Sequence, residues 1–116
     1  MKRQVQTSNI LEEGEHTGLI TEVQERETVQ GFNYIDVFIQ VKECKIKTSF
    51  SDYISPTSKL GIVLERFGTR LEPDTEVDLE ESLTGQECKF SVVKKLNKND
   101  GKTYSNIIND TLRPAK

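Results

Sequence analysis

Few side chains in this sequence could make or break bonds, and none stands where catalysis needs it. His16 is the sole histidine, and no serine or cysteine nucleophile lies beside it for a base to activate. It reads as an ordinary exposed or edge residue of a strand. Cys44 and Cys88 stand far apart, without CxxC spacing or a neighbouring histidine, which favours two reduced thiols in or near a core over zinc ligands or a disulfide framework. Nucleophile-elbow, phosphate-cradling and metal-ligand patterns are all missing. The expectation is a protein that is not an enzyme and uses no cofactor and no metal.

The remaining chemistry is that of contact. Phe32, Tyr34 and Phe38 fall on one parity of a strand-like run, and Lys45 and Lys47 follow on one parity of the next. Further on come Lys94, Lys95, Lys98 and Lys102, with Tyr104 and Asn106 just beyond. Aromatic rings stack on bases and lysines follow phosphates, and neither needs a particular base sequence. The net charge of -3 looks unfavourable for such a ligand, but it is unevenly spread: residues 1–60 carry -2, residues 61–87 carry -6 and residues 88–116 carry +5. The basic balance therefore falls on the lysine-rich segment. Competing readings exist for each feature. The aromatics could cover a second small core or a dimer contact, since aromatics favour strands anyway. The lysines could be a solvated edge that resists aggregation. Asp36 lies among the aromatics, where it repels phosphate unless a lysine partners it.

These residues need elements to position them. At 116 residues the chain suits one domain with one core. No apolar run is long enough to span a membrane, and the polar Gln4 to Asn9 after Met1-Lys-Arg3 lacks the apolar stretch of a secretory signal, so a cytoplasmic location is expected. Residues 1–13 read as a loose arm, 14–112 as the folded domain and 113–116 as a short basic tail. Glu15 to Thr28 reads as a long first strand whose apolar parity changes between Leu19 and Ile20, with a bulge or bend at Gly18. Ile35, Val37, Ile39 and Val41 alternate with polar or aromatic neighbours in a second strand. Cys44 to Phe50 makes a third. Ser55-Pro56 is expected to open a helix that buries Leu60, Val63, Leu64 and Phe67 and ends at Gly68. Thr69 to Glu81 reads as an acidic surface loop. Cys88, Phe90 and Val92 mark strand four, and the turn Asn97-Lys-Asn-Asp-Gly101 leads into strand five, Lys102 to Asn109.

Three strands, one helix and a final hairpin match a five-stranded Greek-key barrel of the oligonucleotide/oligosaccharide-binding (OB) kind, with one helix between strands three and four. The sequence also resembles the small OB-fold single-stranded-DNA-binding proteins of bacteriophages and mobile elements. The resemblance rests on Glu15-x-x-Gly18-x-Ile20, Tyr34-Ile-Asp-Val37, the run from Ser58 to Gly68 (SKLGIVLERFG) and Leu83-x-Gly85, and spans residues 14–112. It implies a binding face on strands two and three, flanked by the loops joining strands one to two and four to five. Single-stranded DNA is the expected partner, bound through Phe32, Tyr34, Phe38, Lys45, Lys47, Lys94, Lys95, Lys98, Lys102 and Tyr104. The rival expectation is a protein-interaction module that docks through the acidic segment 72–81 or the strand-two aromatics. A sugar-binding barrel is weaker, because the chain has no tryptophan. The sequence leaves the oligomeric state open.

Overall fold

Alternating apolar side chains build a hairpin at one edge of the sheet. In β2 (Asn33–Val41) Ile35, Val37, Ile39 and Val41 are buried, and in β3 (Cys44–Ser51) Thr48 and Phe50 are buried beside a half-buried Ile46. The computed structural model describes residues 11–96 and 98–115; of the arm expected over residues 1–13, residues 1–10 lie outside the described residues, as do Asn97 of the expected turn and Lys116 of the tail. Three further strands, β1 (Gly14–Glu27), β4 (Glu87–Leu96) and β5 (Thr103–Pro114), complete one antiparallel sheet in the order β3-β2-β1-β4-β5. The protein is mainly β. Leu11, just before β1, is buried and exchanges hydrogen bonds with the Ser105 hydroxyl on β5 (2.7 and 2.8 Å).

β1 serves two ladders. Gly14 to Leu19 pair with β4, whereas Leu19 to Glu27 pair with β2. At the change-over a Cβ on Gly18 would lie 2.6 Å from Ile39 Cγ2 and 2.9 Å from the Gln40 carbonyl oxygen, so only glycine lets the two strands come this close. The parity change expected between Leu19 and Ile20 instead takes place one step on. Thr21 is bulged out between the pairs Ile20–Ile39 and Glu22–Phe38, so that Ile20 and Val23 both point inward while Leu19 stays exposed. Glycine and bulge are separate devices here: one permits the close crossing, the other resets the register.

Two helices, not one, connect β3 to β4. α1 (Lys59–Arg66) begins three residues later than the Ser55-Pro56 signal suggests, because the Ser58 hydroxyl, not that of Ser55, caps it by accepting from Gly61 N–H at 3.0 Å. Ser55 instead shapes the preceding turn through Ser58 N–H and Thr57 N–H. α1 buries Leu60, Val63 and Leu64, and Phe67 is half-buried at its end. Within the segment read as a loop, α2 (Leu79–Leu83) forms because Asp78 caps Glu81 N–H at 3.0 Å, Glu80 and Glu81 lie at its positive end, and Leu83 is fully buried. Five residues are too few to show a helical period.

β5 also runs further than Asn109. Between the pairs Ser91–Ile108 and Lys89–Arg113 it makes a wide bulge, held by Thr111 Oγ1 accepting from Ser91 N–H (2.8 Å) and by Arg66 of α1 donating to the Asp110 and Leu112 carbonyls. The bulge drives Leu112 into the core beside Phe50, Phe90, Leu60 and Leu64. No ladder joins β3 to β5 among the described residues, but the Asn109 side-chain amide donates to the Ser49 carbonyl at 3.1 Å, bringing the two sheet edges together. No helix of the described residues is long and apolar enough to cross a membrane.

Two outcomes test this packing. Alanine at a helix-interior glycine ordinarily gains about 1 kcal/mol, but a Cβ at Gly61 would meet the Ser55 carbonyl oxygen at 1.8 Å. Gly61→Ala should therefore lose about 1–3 kcal/mol in urea unfolding, and a gain would show that the Ser55 turn does not press on α1. Burial pushes the Cys88 thiol up to about 11. In a Cys44→Ser background, Cys88 should resist a thiol reagent at neutral pH until urea unfolds the chain, and rapid labelling in the native state would mean that the core beneath β4 is open.

Candidate nucleic-acid interface

The outward side chains of β1, β2 and β3 form one wet face of the sheet, and the register fixes who meets whom. Arg26, Tyr34 and Ser51 share one row; Gln24, Asp36 and Ser49 the next; Glu22, Phe38 and Lys47 the third; Gln40 and Lys45 the fourth. Tyr34 and Phe38 are half-buried in this face, two rows apart. Each ring has a cation beside it. The Arg26 guanidinium lies 5.0 Å from the centre of the Tyr34 ring, and Lys45 Nζ lies 5.2 Å from that of Phe38.

Asp36 sits between the two rings. Its side chain is only 5% exposed, yet its needs are met: Arg26 Nε and Nη2 donate to its two oxygens at 2.9 and 3.3 Å, the Ser49 hydroxyl donates at 2.6 Å, and Lys47 Nζ lies at 3.9 Å. Burial alone would raise the pKa of this carboxyl. The hydrogen bonds from Arg26 and Ser49 and the charges of Lys47 and Arg26 outweigh that and hold it below the ordinary carboxylate value. The same pairing raises the pKa of Arg26. The repulsive carboxylate among the aromatics is thus matched by cations, as a lysine partner would require. Lys45 is balanced by Glu22 at 3.7 Å, and Glu22 in turn accepts from the Gln24 amide. Three cations against two carboxylates leave the face with a positive balance.

At the end of this face two more rings stand in solvent. Phe32, just before β2, is 65% exposed, and Tyr53, just after β3, is 68% exposed. The backbone bond from Asp52 N–H to the Asn33 carbonyl (3.2 Å) prolongs the β2–β3 ladder towards them. Thr28 and the chain around Phe32 close the β1–β2 turn by bonds in both directions (2.9 and 3.2 Å).

The basic hairpin lies elsewhere. Lys95 and Tyr104 are paired across β4 and β5, with Lys98 and Lys102 exposed in the connection. Asp100 organises this turn: it accepts from the Tyr104 hydroxyl at 2.6 Å and from Lys102 N–H at 2.9 Å, which lowers its pKa and raises that of Tyr104. The Tyr104 ring remains 43% exposed. Lys94 points the other way, half-buried against the segment before β1, with Nζ 3.5 Å from Glu12 and its own N–H bound to Glu13 at 3.0 Å.

The ten expected binding residues therefore divide into two groups and one outlier. Tyr34, Phe38, Lys45 and Lys47 are together, with Phe32 at their margin. Lys95, Lys98, Lys102 and Tyr104 are together at the opposite end of β1, whose 14 residues span up to about 45 Å if straight. Lys94 joins neither. Arg26 and Tyr53 belong to the first group although the sequence did not single them out. The Arg26–Tyr34 pairing was accessible in principle, because a tight β1–β2 turn fixes the register that sets Arg26 opposite Tyr34. Lys89 and Arg113, the other cations of the sheet, are both bound by Glu15 (3.9 and 2.5 Å).

Among the described residues no cluster of His, Cys, Asp or Glu is arranged to hold a metal ion, and His16 is stacked on Phe90 with ring centres 6.1 Å apart. Comparison with protein families gives no matching family model, and comparison with curated proteins gives no match. The site is thus read from its own geometry.

Because the pKa of Asp36 is lower in the folded chain than in the unfolded one, its pairing stabilises the protein above the unfolded value near 3.9 and is lost as pH falls through the folded value. Asp36→Asn should be less stable than the parent at pH 7, and the gap should close as pH drops below about 4. Urea unfolding at pH 7 and pH 3 measures this, and a gap independent of pH would deny the ion pair its part in stability.

Proposed function

We propose that this chain is a non-catalytic OB-fold protein that binds single-stranded DNA with little sequence preference, of the kind found in bacteriophages and mobile elements, acting in the cytoplasm of the host cell. The observation that carries this reading is the exposed face of β1–β2–β3, on which Tyr34 and Phe38 alternate with Arg26, Lys45 and Lys47. Rings at that spacing take bases and the cations beside them take the intervening phosphates. The long β1 that pairs on both sides, the helices between β3 and β4, and the Asn109–Ser49 contact between β5 and β3 support a five-stranded barrel closed in the OB manner. In that barrel the β1–β2 turn with Phe32 and the basic β4–β5 hairpin flank the platform at either end, so a strand lying on Tyr34 and Phe38 extends towards Lys95, Lys98 and Lys102.

A protein-docking module is the second reading, and one feature favours it. Ile54, Pro56, Leu71, Pro73 and Val77 line a depression of about 370 Å³ together with Glu72 and Asp74, which offers an apolar floor with an acidic rim at the edge of segment 72–81. Reversing Glu76, Asp78 and Glu80 would abolish binding of a basic partner on this reading and would not weaken binding of DNA.

Fluorescence-anisotropy titration of a labelled mixed-sequence single strand, at low and physiological salt and with the matching duplex as control, tests the leading reading. Binding should favour the single strand and weaken with salt. Tyr34→Ala and Phe38→Ala should each cost about 1–3 kcal/mol of affinity while leaving the fold intact. Binding that survives both substitutions undiminished would rule out stacking on this face, and no binding at either salt would leave the docking module as the better account.

A further inference from the structure

Arg26 and Lys47 are the cations nearest the centre of the platform, and both are engaged by one buried carboxylate. Asp36 is fixed from beneath by the Ser49 hydroxyl at 2.6 Å, and its side chain is almost fully covered. Its partners are not: the side chains of Arg26 and Lys47 are 45% and 46% exposed. Arg26 meets the carboxylate through two N–H groups, the same fork it would present to a phosphate. In that position its guanidinium also lies by the Tyr34 ring, so the ring that a base would use is partly occupied in the free protein. Anion, cation and ring thus form one unit, in which the anion is buried and the cation half exposed to solvent.

We propose that Asp36 is an internal stand-in for a nucleic-acid phosphate, holding Arg26 by Tyr34 and drawing in Lys47 until a bound strand takes both cations over. The proposal rests on the single-strand-binding reading above and adds what tempers its affinity for phosphate. A ligand that offers only phosphates must compete with Asp36 for Arg26 and Lys47 and gains nothing else, because the bases of a duplex are not free to stack. A single strand makes the same exchange but also stacks its bases on Tyr34 and Phe38. Asp36 therefore weakens binding to every polyanion through the same exchange, and only a ligand with free bases has stacking to offset it. It is a positioning residue that sets how strongly the face attracts phosphate, although it touches no ligand.

Asp36→Asn keeps the shape and the Ser49 contact and removes the charge. Anisotropy titrations of this variant should show affinity for the single strand raised about two- to fivefold at low salt, the scale of a partly exposed ion pair. Affinity for the duplex should rise by a similar factor, because both ligands displace the same carboxylate. The slope of log affinity against log salt should steepen by about 0.7 for each further phosphate neutralised, a readout that a merely structural change would not move. Combining Asp36→Asn with Arg26→Gln and Lys47→Gln should erase the gain. A thermal unfolding transition above the assay temperature establishes that each variant is folded. If folded Asp36→Asn binds the single strand no better, or more weakly, while the parent binds it in a salt-sensitive way, Asp36 is not a competitor and the proposal is overturned although single-strand binding stands. If the parent binds no single strand, the binding reading itself fails and this proposal fails with it.

Discussion

The whole fold depends on β1 being able to serve two ladders at once. A straight strand of 14 residues would carry its two ladders in one plane. The missing side chain at Gly18 lets β1 pass within contact distance of Ile39 and Gln40, and the bulge at Thr21 turns the strand so that Ile20 and Val23 both reach the interior. Ile20 N–H donates to the Gln86 carbonyl and the Ile20 carbonyl accepts from Gly85 N–H, in the residues that lead into β4, and Leu83 of α2 is fully buried. A Cβ at Gly18 would push the two ladders apart, so the constraint is one of distance rather than of backbone angle.

The strands were legible in the sequence wherever one face is dry and the other wet. Ile35 to Val41 and Cys88 to Val92 alternate cleanly because the sheet's inner side is apolar and its outer side polar, and period two survives any curvature of the sheet. Devices that break a period were legible only roughly. The parity change in β1 was visible, but a side-chain pattern cannot distinguish a glycine that permits close approach from a bulge two or three residues on. The start of α1 was misplaced because Ser55 and Ser58 both carry the capping hydroxyl, and the choice between them is made by the turn geometry of Ser55 to Ser58. The extension of β5 was hidden because its bulge is held by Arg66, Ser91 and Thr111, contacts from distant parts of the chain.

The candidate face was legible in its aromatics and only partly in its charges. Tyr34 and Phe38 share one parity and so one face in any register, whereas the fate of a charge depends on its neighbours across the sheet. Lys45 and Lys47 were found, but their carboxylate partners Glu22 and Asp36 came from two other strands. Arg26 stands at the end of β1, where only the pairing with β2 sets it opposite Tyr34. Lys94 failed for the converse reason: its type and sequence neighbourhood match the basic hairpin, but the residues before β1 take it to Glu12 and Glu13.

The arrangement of charge on this face follows from the composition of the chain as a whole. A protein of net charge -3 cannot attract a polyanion through its overall field, so any such binding must rely on a local excess within about one Debye length, roughly 8 Å at physiological salt. The β1–β2–β3 face supplies that excess with only three cations, two of which are shared with a buried acid. The same acid holds the Arg26 guanidinium beside the Tyr34 ring. A lysine-only face would be more basic, but its long side chains would be less ordered. Placing Asp36 between Tyr34 and Phe38 thus gives the face order and takes away part of its attraction for any polyanion.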